Sequence, residues 1–119
     1  MPLHVVEKLM GDVLVLDARG RITLGHETEV LRQQFKDVVD AGHRRIILNL
    51  AGIDYIDSAG LGVLVAGSSS IRRAGGDLKL ANLTDRIRGL MQITRLSTLF
   101  EVYDNLEKAR SSFGPSSTL

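Results

Sequence analysis

The chain has 119 residues, 44% of them hydrophobic, which suits one compact domain with a proper core and leaves no room for a second. Its 15 basic and 14 acidic side chains give a formal charge of +1, so no strong field argues for nucleic acid or an anionic membrane as partner. With no cysteine there is no disulfide, thiolate metal site or cysteine nucleophile; with no basic-then-apolar leader pattern and no bilayer-length apolar run, a soluble cytoplasmic protein without direct membrane insertion is expected.

Leu3 to Met10 and Val13 to Arg19 read as two strands of a hairpin, divided by the turn signal Gly11-Asp12. Gly20 to Gly25 leads to a helix from His26 to Asp40, with Leu31, Phe35, Val38 and Val39 on one face and Ala41-Gly42 as its stop. Arg45 to Leu50 is mostly apolar without clean alternation, as expected of a central strand covered on both faces. A loop from Ala51 to Asp57 then precedes a second helix, Ser58 to Arg73. Its core stripe is Leu61, Leu64, Val65 and Ile71, its outer face is small and polar, and Gly75-Gly76 ends it. Asp77 to Ala81 forms the next strand, and Thr84 caps a third helix that buries Ile87, Leu90 and Met91. Phe100 to Tyr103 is expected as an edge strand, followed by a helix from Asn105 to Phe113 with Leu106, Ala109 and Phe113 inward; residues 114–119 form a loose tail.

Two strands followed by alternating helices and strands argue for an α/β fold: a central mixed β-sheet of four to five strands packed with about four helices, antiparallel at one edge. In such sheets functional loops gather at the carboxyl ends of the strands, which is where the stretch from Ala51 to Ser58 leaves the central strand. Ser58 sits there at a helix start. It serves either as an ordinary N-cap, accepting a hydrogen bond from a free backbone NH, or as an acceptor for phosphate, which the positive helix end would compensate. Gly60 and Gly62 are costly in a helix's first turn and suggest that something, such as a partner surface, approaches the backbone closely. Asp57 either closes an Asx-type turn or accepts the Ser58 proton as a base.

Other chemistries fit poorly. Gly60-x-Gly62 lacks the Lys-Ser or Lys-Thr of a phosphate-binding loop and the full dinucleotide fingerprint, so no nucleotide cofactor is expected. Ile56-Asp57-Ser58-Ala59-Gly60 lacks the glycine two places before the serine of a nucleophile elbow, and His4, His26 and His43 lie on separate elements, so neither catalytic residues nor a metal site are expected. His43-Arg44-Arg45 and Arg72-Arg73 lack interleaved aromatics and read as solvated turns rather than a nucleic-acid surface.

Gly20-Arg21-Ile22-Thr23, Ile46 to Leu50, Ile53 to Gly62, Gly75 to Leu80 and Phe100 to Tyr103 together resemble, in order, the landmarks of the STAS family, the domain of bacterial anti-sigma factor antagonists. The resemblance covers nearly the whole chain and implies a STAS domain over residues 1–113. It implies that Ser58 is phosphorylated by a serine-kinase anti-sigma factor. The unmodified antagonist binds that partner and releases a sigma factor; phosphorylation breaks the complex until a phosphatase restores it. The expected partner surface comprises Asp54, Tyr55, Ile56, Asp57, Ser58, Ala59, Gly60, Leu61, Gly62, Val65 and Thr23. Thr23 departs from the family, where many antagonists carry Asp; this predicts slow modification or a different kinase class, unless Thr23 is an ordinary strand-end residue. The alternative is a STAS-type docking subunit of a lipid-transport ATPase complex or a sensory assembly, with no phosphoswitch, docking through Leu61, Gly62, Val65, Ala66 and Ser69.

Overall fold

The structure is a computed structural model that describes residues 2–115. β1 (His4–Met10) and β2 (Val13–Ile22) form the expected antiparallel hairpin about Gly11-Asp12, with Met10 opposite Val13. α1 (His26–Asp40) follows, then β3 (Arg45–Ile56), α2 (Ser58–Arg73), β4 (Asp77–Ala81), α3 (Asp85–Ile93), a 3-10 turn at Leu96–Thr98, β5 (Glu101–Tyr103) and α4 (Leu106–Ser111). The five strands lie in the order β1-β2-β3-β4-β5, antiparallel at the first pair and parallel at the other three.

Strand alternation divides the core. Leu14, Leu16, Ile46, Leu48, Leu78 and Leu80 face one side, where Leu31 and Phe35 of α1, Leu64 and Ile71 of α2, and Ile87 and Met91 of α3 cover them. Val13, Val15, Ile47 and Ala81 face the other side, closed by Ala109 of α4. α2 meets α1 closely because residue 67 has no side chain: a Cβ there would lie 2.3 Å from Cδ2 of the buried Phe35.

Three expectations need correction. The stretch from Ala51 to Ile56 is strand, not loop, and β2 runs on to Ile22 to pair with it as far as Ile22–Ile56. Register shifts at Asp17/Arg19 and Gly20/Arg21 break the alternation there, which hides the strand from a period-two reading. β4 stops pairing at Asn49–Ala81, so the outer half of β3 projects beyond the sheet held by β2, with Asp54 and Tyr55 exposed at its tip. On α2, Val63 is buried and Val65 only half-buried, while Leu61 belongs wholly to the core. α4 ends at Ser111, although Phe113 still packs inward from the turn beyond it. The carbonyls of Gly114 and Pro115, where the expected tail begins, accept hydrogen bonds from the Arg45 guanidinium at 3.3 and 3.1 Å; the rest of that tail, 116–119, lies outside the described residues.

Candidate functional site

The projecting tip of β3 delivers the chain to α2 through Asp57. The Asp57 backbone NH donates to the carbonyl of Ile22 at 3.2 Å, and its side chain caps α2: Oδ1 accepts from Gly60 N at 2.8 Å. Oδ2 accepts from Leu24 N at 2.9 Å, so one carboxylate ties the β2–α1 turn to the α2 start across 33 residues of sequence. These NH donors, Leu24 first and Gly60 second, hold the Asp57 carboxyl below the usual carboxylate range. The N-cap is therefore Asp57, and the expectation that Ser58 caps α2 is corrected. Ser58 is the first helical residue; it is exposed, and among the described residues its hydroxyl has no hydrogen-bond partner.

The two glycines prove different in kind. A Cβ at Gly60 would stand 2.2 Å from the Ile22 carbonyl oxygen and 2.8 Å from Ile56 Cγ2, so what approaches this backbone is the chain's own β2, not a partner. Nothing lies within 4 Å of a Cβ at the exposed Gly62, which leaves a smooth surface one helical turn beyond Ser58. Thr23, half-buried at the end of β2, donates its hydroxyl to Glu27 Oε1 at 2.9 Å. The neutral residue at 23 thus holds a carboxylate from the next turn.

Of the other expected partner residues, Asp54 and Tyr55 are exposed, Ala59 and Val65 half-buried, and the Ile56 and Leu61 side chains lie inside the core beneath the loop. Beside Ser58 runs a groove of about 620 Å³ between the α2 start and α3, lined by Tyr55, Asp57 and Ser58 on one side and by Asp85, Arg86 and Ile93 on the other. Ile93 is 82% exposed, and Leu24, in the turn held by Asp57, is 78% exposed. Sequence reasoning passed over Leu24, Asp85, Arg86 and Ile93. Leu24 and Ile93 carry a signal of sorts, being large apolar residues off the core stripe of their segments. His4 lies on edge strand β1, His26 opens α1 and His43 occupies the turn before β3.

The STAS domain family model matches residues 5–109. The chain belongs to the STAS domain family. This STAS domain is 32% identical over 102 residues to the anti-sigma-B factor antagonist of Bacillus subtilis, an alignment covering 86% of this chain and 92% of that protein. It is 34% identical over 85 residues to the protein BtrV of Bordetella bronchiseptica, covering 71% and 73%. Its fold superposes on the Bacillus cell fate determinant SpoIIAA in its phosphorylated form with a TM-score of 0.70 at 19% identity, covering 92% of this chain and 99% of that one. Relatives of this STAS domain carry the name anti-sigma factor antagonist, and the five-stranded mixed sheet with four helices is the fold they share. Among its described residues no helix is long and apolar enough to cross a membrane.

Proposed function

We propose that this protein is an anti-sigma factor antagonist whose unmodified form binds a serine-kinase anti-sigma factor and so frees a sigma factor, and that phosphorylation of Ser58 switches the binding off. The observation that carries the reading is the division of labour at the α2 start. Asp57 does the capping, and Ser58 presents an exposed hydroxyl that local structure does not use.

In the transfer step Ser58 Oγ attacks the γ-phosphorus of ATP held by the kinase. The new O–P bond forms as the bond to the ADP oxygen breaks, and the hydroxyl proton passes to a base. Asp57 is a poor base, since both its oxygens already accept NH donors and its anion is stabilised. The kinase therefore supplies the base, and Asp57 holds the acceptor loop in place. The product adds about −1.5 to −2 charges at neutral pH beside Asp57 and near the exposed Asp54, at the centre of the surface that must be desolvated on binding. An uncompensated charge buried in an interface costs several kcal/mol, roughly a thousandfold in affinity. A phosphatase then returns the protein to its binding form.

Calorimetry with the host's serine-kinase anti-sigma factor tests this. Ser58→Ala should bind like the unmodified protein and take up no phosphate from ATP. Ser58→Asp, an imperfect mimic, should bind at least about tenfold more weakly. Equal binding by both variants, or phosphate incorporated into Ser58→Ala, would sink the proposal.

A further inference from the structure

A phosphate on Ser58 meets less counter-charge than a helix start ordinarily offers. Asp57 already caps the α2 N-terminus, with Gly60 N donating to its Oδ1 at 2.8 Å. The capping group is itself an anion, so the new dianion would meet a carboxylate beside the NH groups and positive potential of the helix end. Further compensation has to come from elsewhere. Across the groove, on the first turn of α3, stands Arg86, the one cation among the groove's described lining residues. It is exposed and, among the described residues, in no ion pair, whereas Arg88 on the next part of the same helix pairs with Asp104 at 3.8 Å. A guanidinium with open donors is the side chain that best fits a phosphate, through paired N–H···O bonds.

We propose that Arg86 is the intramolecular phosphate-binding residue of this STAS domain: when Ser58 carries a phosphate, the Arg86 guanidinium swings across the groove to pair with it. The inference rests on the Ser58 phosphoswitch proposed above and deepens it. Pairing draws the Arg86 side chain over the space between Tyr55 and Ile93, so the modified protein covers the apolar edge of the partner surface as well as charging its centre. Asp85, on the same turn, lines the same groove as Asp57 and Tyr55, and Asp54 is exposed near it on the tip of β3. With these carboxylates near, Arg86 is the groove's own cation that can offset part of the added charge.

The test places phosphoserine at position 58 during synthesis, so that no kinase is needed and failure of the switch in binding assays is separable from failure of the pairing. The second ionisation of the phosphate is followed by phosphorus NMR in the otherwise unchanged protein, in Arg86→Gln and in Arg88→Gln. Pairing with Arg86 predicts that Arg86→Gln raises the midpoint by roughly half a unit, the size expected of an exposed charge pair, and that 0.5 M salt narrows the difference. Arg88→Gln, which removes the same charge from the same helix, should leave the midpoint unmoved. Identical midpoints in all three proteins, or equal shifts in the two variants, would overturn the proposal. Because Arg86 is exposed and α3 keeps its Thr84 cap and its buried Ile87 and Met91, the variant retains the fold needed for the comparison.

Discussion

Removing the Asp57 carboxylate opens two hydrogen bonds at once, the helix cap to Gly60 N and the cross-link to Leu24 N. Loss of an N-cap alone costs about 1 kcal/mol, so Asp57→Ala should destabilise the domain by about 1–2 kcal/mol in urea unfolding. Asp57→Asn, which keeps one acceptor oxygen, should cost less. The pH dependence has a definite sign. The folded carboxyl titrates below its unfolded value, so its contribution is fully present above the unfolded midpoint, about pH 4, and is lost as pH falls through the lower folded one. The stability gap between the natural protein and Asp57→Asn should therefore be constant from pH 7 to about pH 5 and shrink on further acidification. A gap that stays constant down to pH 2 would show that Asp57 gains nothing from its ionised form. Ser58→Ala should be silent in such measurements, since its hydroxyl has no partner to lose among the described residues; the role proposed for it belongs to binding.

At the scale of elements, α2 separates the glycine that structure requires from the one it does not. Gly60→Ala drives a methyl against the Ile22 carbonyl, whose position is fixed by its bond to Asp57 N, and should cost about 2 kcal/mol or more because backbone rather than a side-chain tip must move. Gly62→Ala meets nothing and removes a flexible residue from a helix, so it should stabilise by about 0.5–1 kcal/mol. Thermal unfolding of the two variants in opposite directions checks the assignment; a stabilised Gly60→Ala would refute it. Much of this architecture was legible in the sequence. The spans of α1, α2 and β4 match those drawn from the sequence, because their stops are local: Ala-Gly after α1, and Gly-Gly between α2 and β4. The outer half of β3 was not legible, since it is a strand only by virtue of shifted pairing with β2, some thirty residues earlier. The site divides the same way. Ser58 announces itself through its neighbours in sequence, whereas the Leu24–Asp57 link and the placement of Arg86 and Ile93 across from Ser58 exist only once distant segments pack.

Across the whole molecule the sheet isolates the Ser58 end from the segment that closes the opposite face. α4 has only six residues, too short to hold a helical shape alone, and it covers the smaller of the two apolar clusters through Ala109, with Leu106 and Phe113 at its margins. Its anchoring leans on two cations. Lys79, 4% exposed, donates to Ser112 Oγ at 2.8 Å, lies 4.3 Å from the Phe113 ring centroid and 3.5 Å from Glu101; Arg45 reaches the carbonyls of Gly114 and Pro115. A buried ammonium satisfied by one hydroxyl, the rings of Phe113 and Tyr103 and one exposed carboxylate is a weaker fastening than the interdigitated Leu, Ile and Phe side chains under α1 to α3. α4 should therefore open below the global unfolding free energy, and its amides should exchange with deuterium faster than those of Ile46 to Asn49 in the middle of the sheet. Lys79→Ala should quicken exchange in α4 further, whereas Lys79→Met, which keeps the buried stem, should do so less. Neither substitution should alter the affinity of the unmodified protein for its partner, because Ser58, Gly62 and the groove beside α3 lie at the other side of an intact sheet. If α4 instead exchanges as slowly as β3, the two faces form one cooperative unit. A charge change at Ser58 would then be able to reach the C-terminal segment through the fold.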